Sequence, residues 1–279
     1  MIAPAMLLIL ALFGSGVVSA ILESLGWYQD PSLTFRYYQQ LLSSREIRAS
    51  LGFSLGVAAA STGLSAAFGL MLALRLRRAA RGWAGWNTLL QLPLAVPHLA
   101  MAFVVLQLVS SSGLVARIAH HAGLISMPAD FPGLVNDQFG VGIVLVYVLK
   151  ETPFVALMVL AVLTPLGDSY EQAARTLGAS GPQRFRYVTL PLAAPPLAAS
   201  SLFVFAYALS AFDAPIVLGR PYPAMWSVIA QRRYMTPDLA ARPGAIALAL
   251  AASALTALLV WLYLRAVRSS SGLDKPAIF

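Results

Sequence analysis

Four ionisable side chains lie inside long apolar stretches of this 279-residue chain: Lys150 and Glu151 side by side, Asp213, and His98 directly after Pro97. A charge at the centre of a bilayer costs about 2.5–3.5 kcal/mol on insertion scales, so each must be paired or hydrated. Two kinds of chemistry are therefore open. Lys150 can pair with Glu151 or Asp213 and hold helices together. Alternatively, one or more of these groups faces a hydrated cavity and contacts a polar or charged solute, with Glu151, Asp213 or His98 also able to relay protons. Tyr207 and Phe212 could add aromatic faces for a cation.

Other chemistries are absent from the pattern. The chain has no cysteine, and its three histidines, His98, His120 and His121, form no His-Glu-x-x-His pattern, so no metal site is expected. The two lysines, Lys150 and Lys275, do not follow glycine, so there is no phosphate-binding Gly-x-x-x-x-Gly-Lys-Ser/Thr loop and no ATPase site. No Gly-x-Ser-x-Gly is present and His98 is the sole histidine in an apolar segment, which disfavours a membrane hydrolase. The expectation is a protein that is not an enzyme and carries no cofactor of its own.

The elements that must position these groups follow from composition. Hydrophobic residues make up 59 % and charged ones 11 %, and the mean hydropathy is +0.75, which marks a membrane protein. The net charge of +8 comes from arginines flanking apolar runs and suits anionic headgroups better than nucleic acid. About twenty apolar residues cross the hydrocarbon layer. Six segments meet that length, at about 2–22, 49–74, 84–109, 138–166, 194–219 and 243–266, within a single domain, 1–279. The expected fold is all-α: six transmembrane helices around one bundle. The first segment could instead be a signal peptide, because Val18-Ser19-Ala20 resembles a cleavage site, although it lacks a basic leader.

Pro93, Pro97, Pro153, Pro195, Pro196 and Pro215 interrupt these segments or mark their ends, freeing carbonyls that a protein cavity or water must satisfy. Gly52, Gly56, Gly63 and Gly69, with a Gly-x-x-x-Gly at 52–56, give the second segment small residues that let helix backbones approach closely. With both termini in the cytoplasm, ten basic residues fall inside and eight outside, too small a margin to orient the chain, although Arg75, Arg77, Arg78 and Arg81 cluster after one span. The polar tail at 269–276 reads as loosely ordered.

Between the fourth and fifth segments lies a polar helix-loop-helix, EQAARTLGASGPQRFRYVTLP, at 171–191. Ser169 with Gln172, and Ser180 with Gln183, have capping-box spacing; Gly178 is placed to stop the first helix and Pro191 to end the second. This stretch resembles the EAA loop of type I ATP-binding-cassette importer permeases: Glu-Ala-Ala, three residues, Gly, nine residues, Ile, one residue, Leu-Pro. Here the pattern reads Gln172-Ala173-Ala174, Gly178, Val188, Leu190-Pro191. Gln172 stands where the acid belongs, and Glu171, one residue earlier and about 100° around the helix, is the other side chain available for its contact.

The resemblance spans roughly residues 45–265. It implies a permease subunit of the inner membrane with both termini cytoplasmic and a cytoplasmic coupling loop at 167–193. Glu171, Gln172, Ala173, Ala174, Gly178, Leu190 and Pro191 would contact a separate ATPase subunit that binds ATP and magnesium. It further implies a second permease subunit and an extracytoplasmic solute-binding protein. Lys150, Glu151, Asp213, His98, Tyr207 and Phe212 are the pathway candidates. Pro153-Phe154 and the stretch from Asp213 to Gly219 look most like the polyamine, thiamine and ferric-iron branch, with polyamine uptake the reading taken. A secondary transporter driven by an ion gradient is the alternative.

Overall fold

A computed structural model describes residues 3–29, 33–79, 85–127, 130–166 and 169–270. Arg81, residues 167–168 and the tail from 271 lie outside these, as do the side chains of Arg78 and Arg268. The described chain is built from helices: α1 (Ala3–Ser24), α2 (Arg36–Ser43), α3 (Arg45–Ala79), α4 (Gly85–Ala95), α5 (His98–Val109), α6 (Leu114–His121), α7 (Val141–Leu163), α8 (Ser169–Thr176), α9 (Gly181–Arg184), α10 (Leu190–Ser210), α11 (Asp213–Leu218), α12 (Trp226–Met235) and α13 (Arg242–Ser270). Six described helical segments are long and apolar enough to cross a membrane. The chain divides into two compact units, residues 1–54 with 221–279, and residues 55–220.

In the first unit α13 packs against α1, α2 and α12. Buried polar groups fix the register there. The Trp226 backbone N–H donates to Ser54 Oγ at 2.8 Å, its indole N–H donates to the Leu248 carbonyl at 3.1 Å, and Ser50 donates to the Ala224 carbonyl. Most of α1 is exposed, with Leu7 and Leu10 each more than three-fifths accessible, as befits an apolar helix whose solvent is lipid.

The second unit is centred on α7, against which α4, α5, α10 and α11 all pack. Its core joins Ala73, Val155, Ala156, Val159, Leu163, Ala193 and Val204, all essentially inaccessible. Lipid is as apolar as leucine, so this core gains from close packing more than from escape from water, and small residues set how near the backbones come. Gly69 is the decisive one: a Cβ there would lie 2.6 Å from Val155 Cβ and 3.1 Å from the Thr152 carbonyl. Gly52, Gly56 and Gly63 have nothing within 4 Å of that position, so of the four glycines Gly69 alone meets such a close approach within the chain. The start of α7 is held by Asp137, which accepts the Val141 and Phe139 backbone N–H groups at 2.8 Å each.

Three expectations about the elements are corrected. The segment 84–109 is two helices, because Pro97 lacks the N–H that would continue α4 and the chain turns extended there, ψ 144°. The segment 194–219 is not one span either: helix begins upstream, runs through Pro195 and Pro196, stops at Ser210, and restarts at Asp213, so Asp213 opens a short helix. Pro191 does not end the preceding helix. A π turn at Phe185–Thr189 widens the backbone ring just before it, so the proline ring and its missing donor fit, and helix is continuous over 181–210.

Candidate functional site

Two side-chain constellations stand out, both within residues 55–220. The first is the helix pair α8 and α9. Gly178 adopts φ +85° and closes α8 with a Schellman arrangement: its N–H donates to the Arg175 carbonyl, and the Ala179 N–H to the Ala174 carbonyl, both at 3.0 Å. Gln183 Oε1 accepts the Ser180 N–H at 2.8 Å, completing the expected capping box at α9. The other expected box is absent. Ser169 is already helical, and its hydroxyl donates back to the Leu166 carbonyl at 3.1 Å, so it cannot serve as N-cap.

Glu171 does not point away from the chain. Its Oε1 lies 3.0 Å from Arg77 Nη1 at the end of α3 and accepts the Thr189 hydroxyl at 3.0 Å. A cavity of about 160 Å³ borders this ion pair, lined among others by Leu74, Arg184 and Phe185. Gln172 and Ala173 are exposed, Ala174 half-buried, Leu190 half-buried and Pro191 exposed. On this otherwise polar surface Leu177 is 89 % exposed and Tyr187 72 %, and both border a shallow groove with Ala174, Gly178 and Val188.

The second constellation gathers most of the ionisable groups noted in the sequence. His98 Nε2 lies 3.0 Å from Glu151 Oε1, and its ring lies against Tyr207, tilted by 36°, at 4.4 Å between centroids. Tyr207 donates to Asp213 Oδ2 at 3.4 Å, a long bond, and Tyr147 stands edge-on to Tyr207 at 6.1 Å. Phe212 is exposed beside Asp213. Lys150 is not with them. Its ammonium donates to the backbone carbonyls of Pro93 at 3.1 Å, Leu94 at 3.4 Å, and Val96. Of the alternatives the sequence leaves open, the pairing of Lys150 with Glu151 or Asp213 is not the one formed: carbonyls cage the ammonium, and Lys150 and Glu151, as neighbours on a helix, project about 100° apart.

Sequence reasoning missed three participants. Arg77 was legible only as one of a basic cluster, and Thr189 carried no signal. Tyr147 lies one helical turn before Glu151, a spacing that places both on one face of α7.

Residues 65–270 match the family described as the binding-protein-dependent transport system inner membrane component. The chain belongs to that family. Among relatives, the inner membrane ABC transporter permease protein YnjC of Escherichia coli K12 is 30 % identical over 89 % of this chain and 48 % of its own length. The putrescine transport system permease protein PotI of Escherichia coli K12 is 28 % identical over 74 % of this chain and 66 % of its own length. The chain thus spans about half the length of YnjC. A bacterial ABC transporter involved in the import of the acidic polysaccharide alginate shares the fold, with TM-score 0.78 and 18 % identity over 99 % of this chain and 95 % of that one.

Proposed function

We propose that this family member is the permease subunit of an ATP-binding-cassette importer, acting as one domain and forming half of a solute pathway with a second permease subunit. The observation that carries the reading is the helix pair α8–α9: a rigidly closed polar surface that presents a large exposed leucine, Leu177, beside Tyr187. Exposed apolar side chains rimmed by polar ones mark protein contacts. The proposed partner is the ATPase subunit, which binds ATP and magnesium. Ala173, Ala174, Gly178, Leu190 and Pro191 shape the contact and Gln172 faces it. Glu171 contributes from behind, by bracing α8 to α3 through Arg77, so the missing acid at position 172 is not replaced by Glu171 at the interface.

On this reading the loop and both termini are cytoplasmic, and a solute-binding protein delivers cargo from the other side. His98, Glu151, Tyr207, Asp213 and Phe212 form the proposed polar face of the pathway, and Lys150 belongs to its scaffold. Two carboxylates with aromatic neighbours suit a cation, so the solute proposed is a small polyamine such as putrescine. The alternative of a gradient-driven transporter has no separate observation in its favour.

The test is reconstitution of this chain with its genomically neighbouring ATPase, second permease and binding protein in proteoliposomes. ATP-dependent uptake of labelled putrescine is expected, lost when ATP is replaced by a non-hydrolysable analogue. Uptake that follows an imposed ion gradient without ATP would overturn the importer reading, and ATP-dependent uptake of sulfate or a sugar but not putrescine would overturn the solute alone.

A further inference from the structure

Consecutive residues of α7 grip the two ends of the broken helix α4–α5. The break occurs because Pro97 has no N–H to offer the Pro93 carbonyl four residues back. Lys150 supplies what is missing: its ammonium, which has three N–H donors, bonds the carbonyls of Pro93, Leu94 and Val96. These carbonyls close the C-terminal end of α4, where a helix carries partial negative charge. Glu151 takes the other side of the break. Its carboxylate holds the side chain of His98, the first residue of α5, at the end that carries partial positive charge. Both grips are buried, Lys150 at 3 % and Glu151 at 6 % exposed.

We infer that Lys150 and Glu151 are positioning residues that fix the angle at the α4–α5 break, a cation bonding the Pro93 carbonyl that Pro97 leaves without a donor together with those of Leu94 and Val96, and an anion anchoring the first residue of α5. The angle matters to the site because α5 packs on α11, the helix opened by Asp213, while α7 carries Tyr147 and Glu151. A change at the break moves Asp213 relative to Glu151. This inference stands apart from the importer reading, since it concerns geometry measurable without ATPase or solute.

The natural absence of cysteine allows the test in the full chain in lipid nanodiscs. Spin labels at Leu89→Cys on α4 and Phe103→Cys on α5, both exposed, report the distance across the break by double electron-electron resonance. With Lys150 present, one narrow distance is expected. Lys150→Ala should broaden it, ethylammonium should restore the narrow distance by refilling the carbonyl cage, and tetramethylammonium, which has no N–H, should not. An unchanged distribution in Lys150→Ala, or equal effects of the two cations, would overturn the inference. Glu151→Leu provides a second reading should Lys150→Ala fail to fold: broadening that ethylammonium does not reverse is expected, and an undisturbed distance again defeats the proposal.

Discussion

Gly69 and Gly178 are constrained for opposite reasons, and substitution separates them. At Gly69 the backbone is ordinary but space is lacking, so Gly69→Ala drives a methyl group into Val155. Overpacking of that kind costs about 1–3 kcal/mol, and a fall of several degrees in the melting temperature of the purified protein is expected. Gly56→Ala, with nothing within 4 Å of the new Cβ and with alanine the better helix former, should hold or slightly raise it when this chain is measured alone. At Gly178 space is open but φ is +85°, so Gly178→Ala should cost about 1–2 kcal/mol through backbone strain and weaken capture of the ATPase by about tenfold in a pull-down titration. The role of Gly178 was legible from its place at the end of a short polar helix. That of Gly69 was not, because four similar glycines share one helix and only the position of α7 distinguishes them.

At the scale of elements, the ion pair between Arg77 and Glu171 ties the end of α3 to α8, with Thr189 as a third member. If α8 receives force from an ATPase, this tie determines whether α3 shares it. Glu171→Gln should lower ATP-driven uptake several-fold while ATP hydrolysis persists. The exchange Arg77→Glu with Glu171→Arg should recover part of the loss, a coupling measurable in a double-mutant cycle. Hydropathy gave the number of spans but not their breaks. At Pro97 and at Ala211 the chain stays apolar while the helix stops, so an average over twenty residues passes through unchanged. The compensation for the first break comes from Lys150, more than fifty residues away, and backbone carbonyls have no sequence signature. The same holds at Pro191, where a π turn absorbs a residue that propensity alone reads as a stop.

For the whole molecule, one span separates Leu124 from Leu177, so the two exposed leucines must lie on opposite sides of the membrane if α7 crosses it. In the cysteine-free chain, a membrane-impermeant maleimide should label Leu124→Cys from outside intact cells and Leu177→Cys only after permeabilisation. The reverse pattern would turn the proposed topology over. One relative is named for putrescine transport, and a transporter of the same fold is involved in the import of an acidic polysaccharide. On the proposed reading, discrimination between cargoes rests on side chains such as Asp213 and on the delivering protein. The uninterrupted helix over 181–210 adds a mechanical consequence. Thirty residues of helix make a rod of about 45 Å, along which a tilt of about 5° at the end beside Gly181 displaces the end beside Ser210 by about 4 Å. A jointed segment would bend under that load; a continuous one would act as a lever arm, and the π turn lets the helix continue into Pro191, one of four prolines in its path.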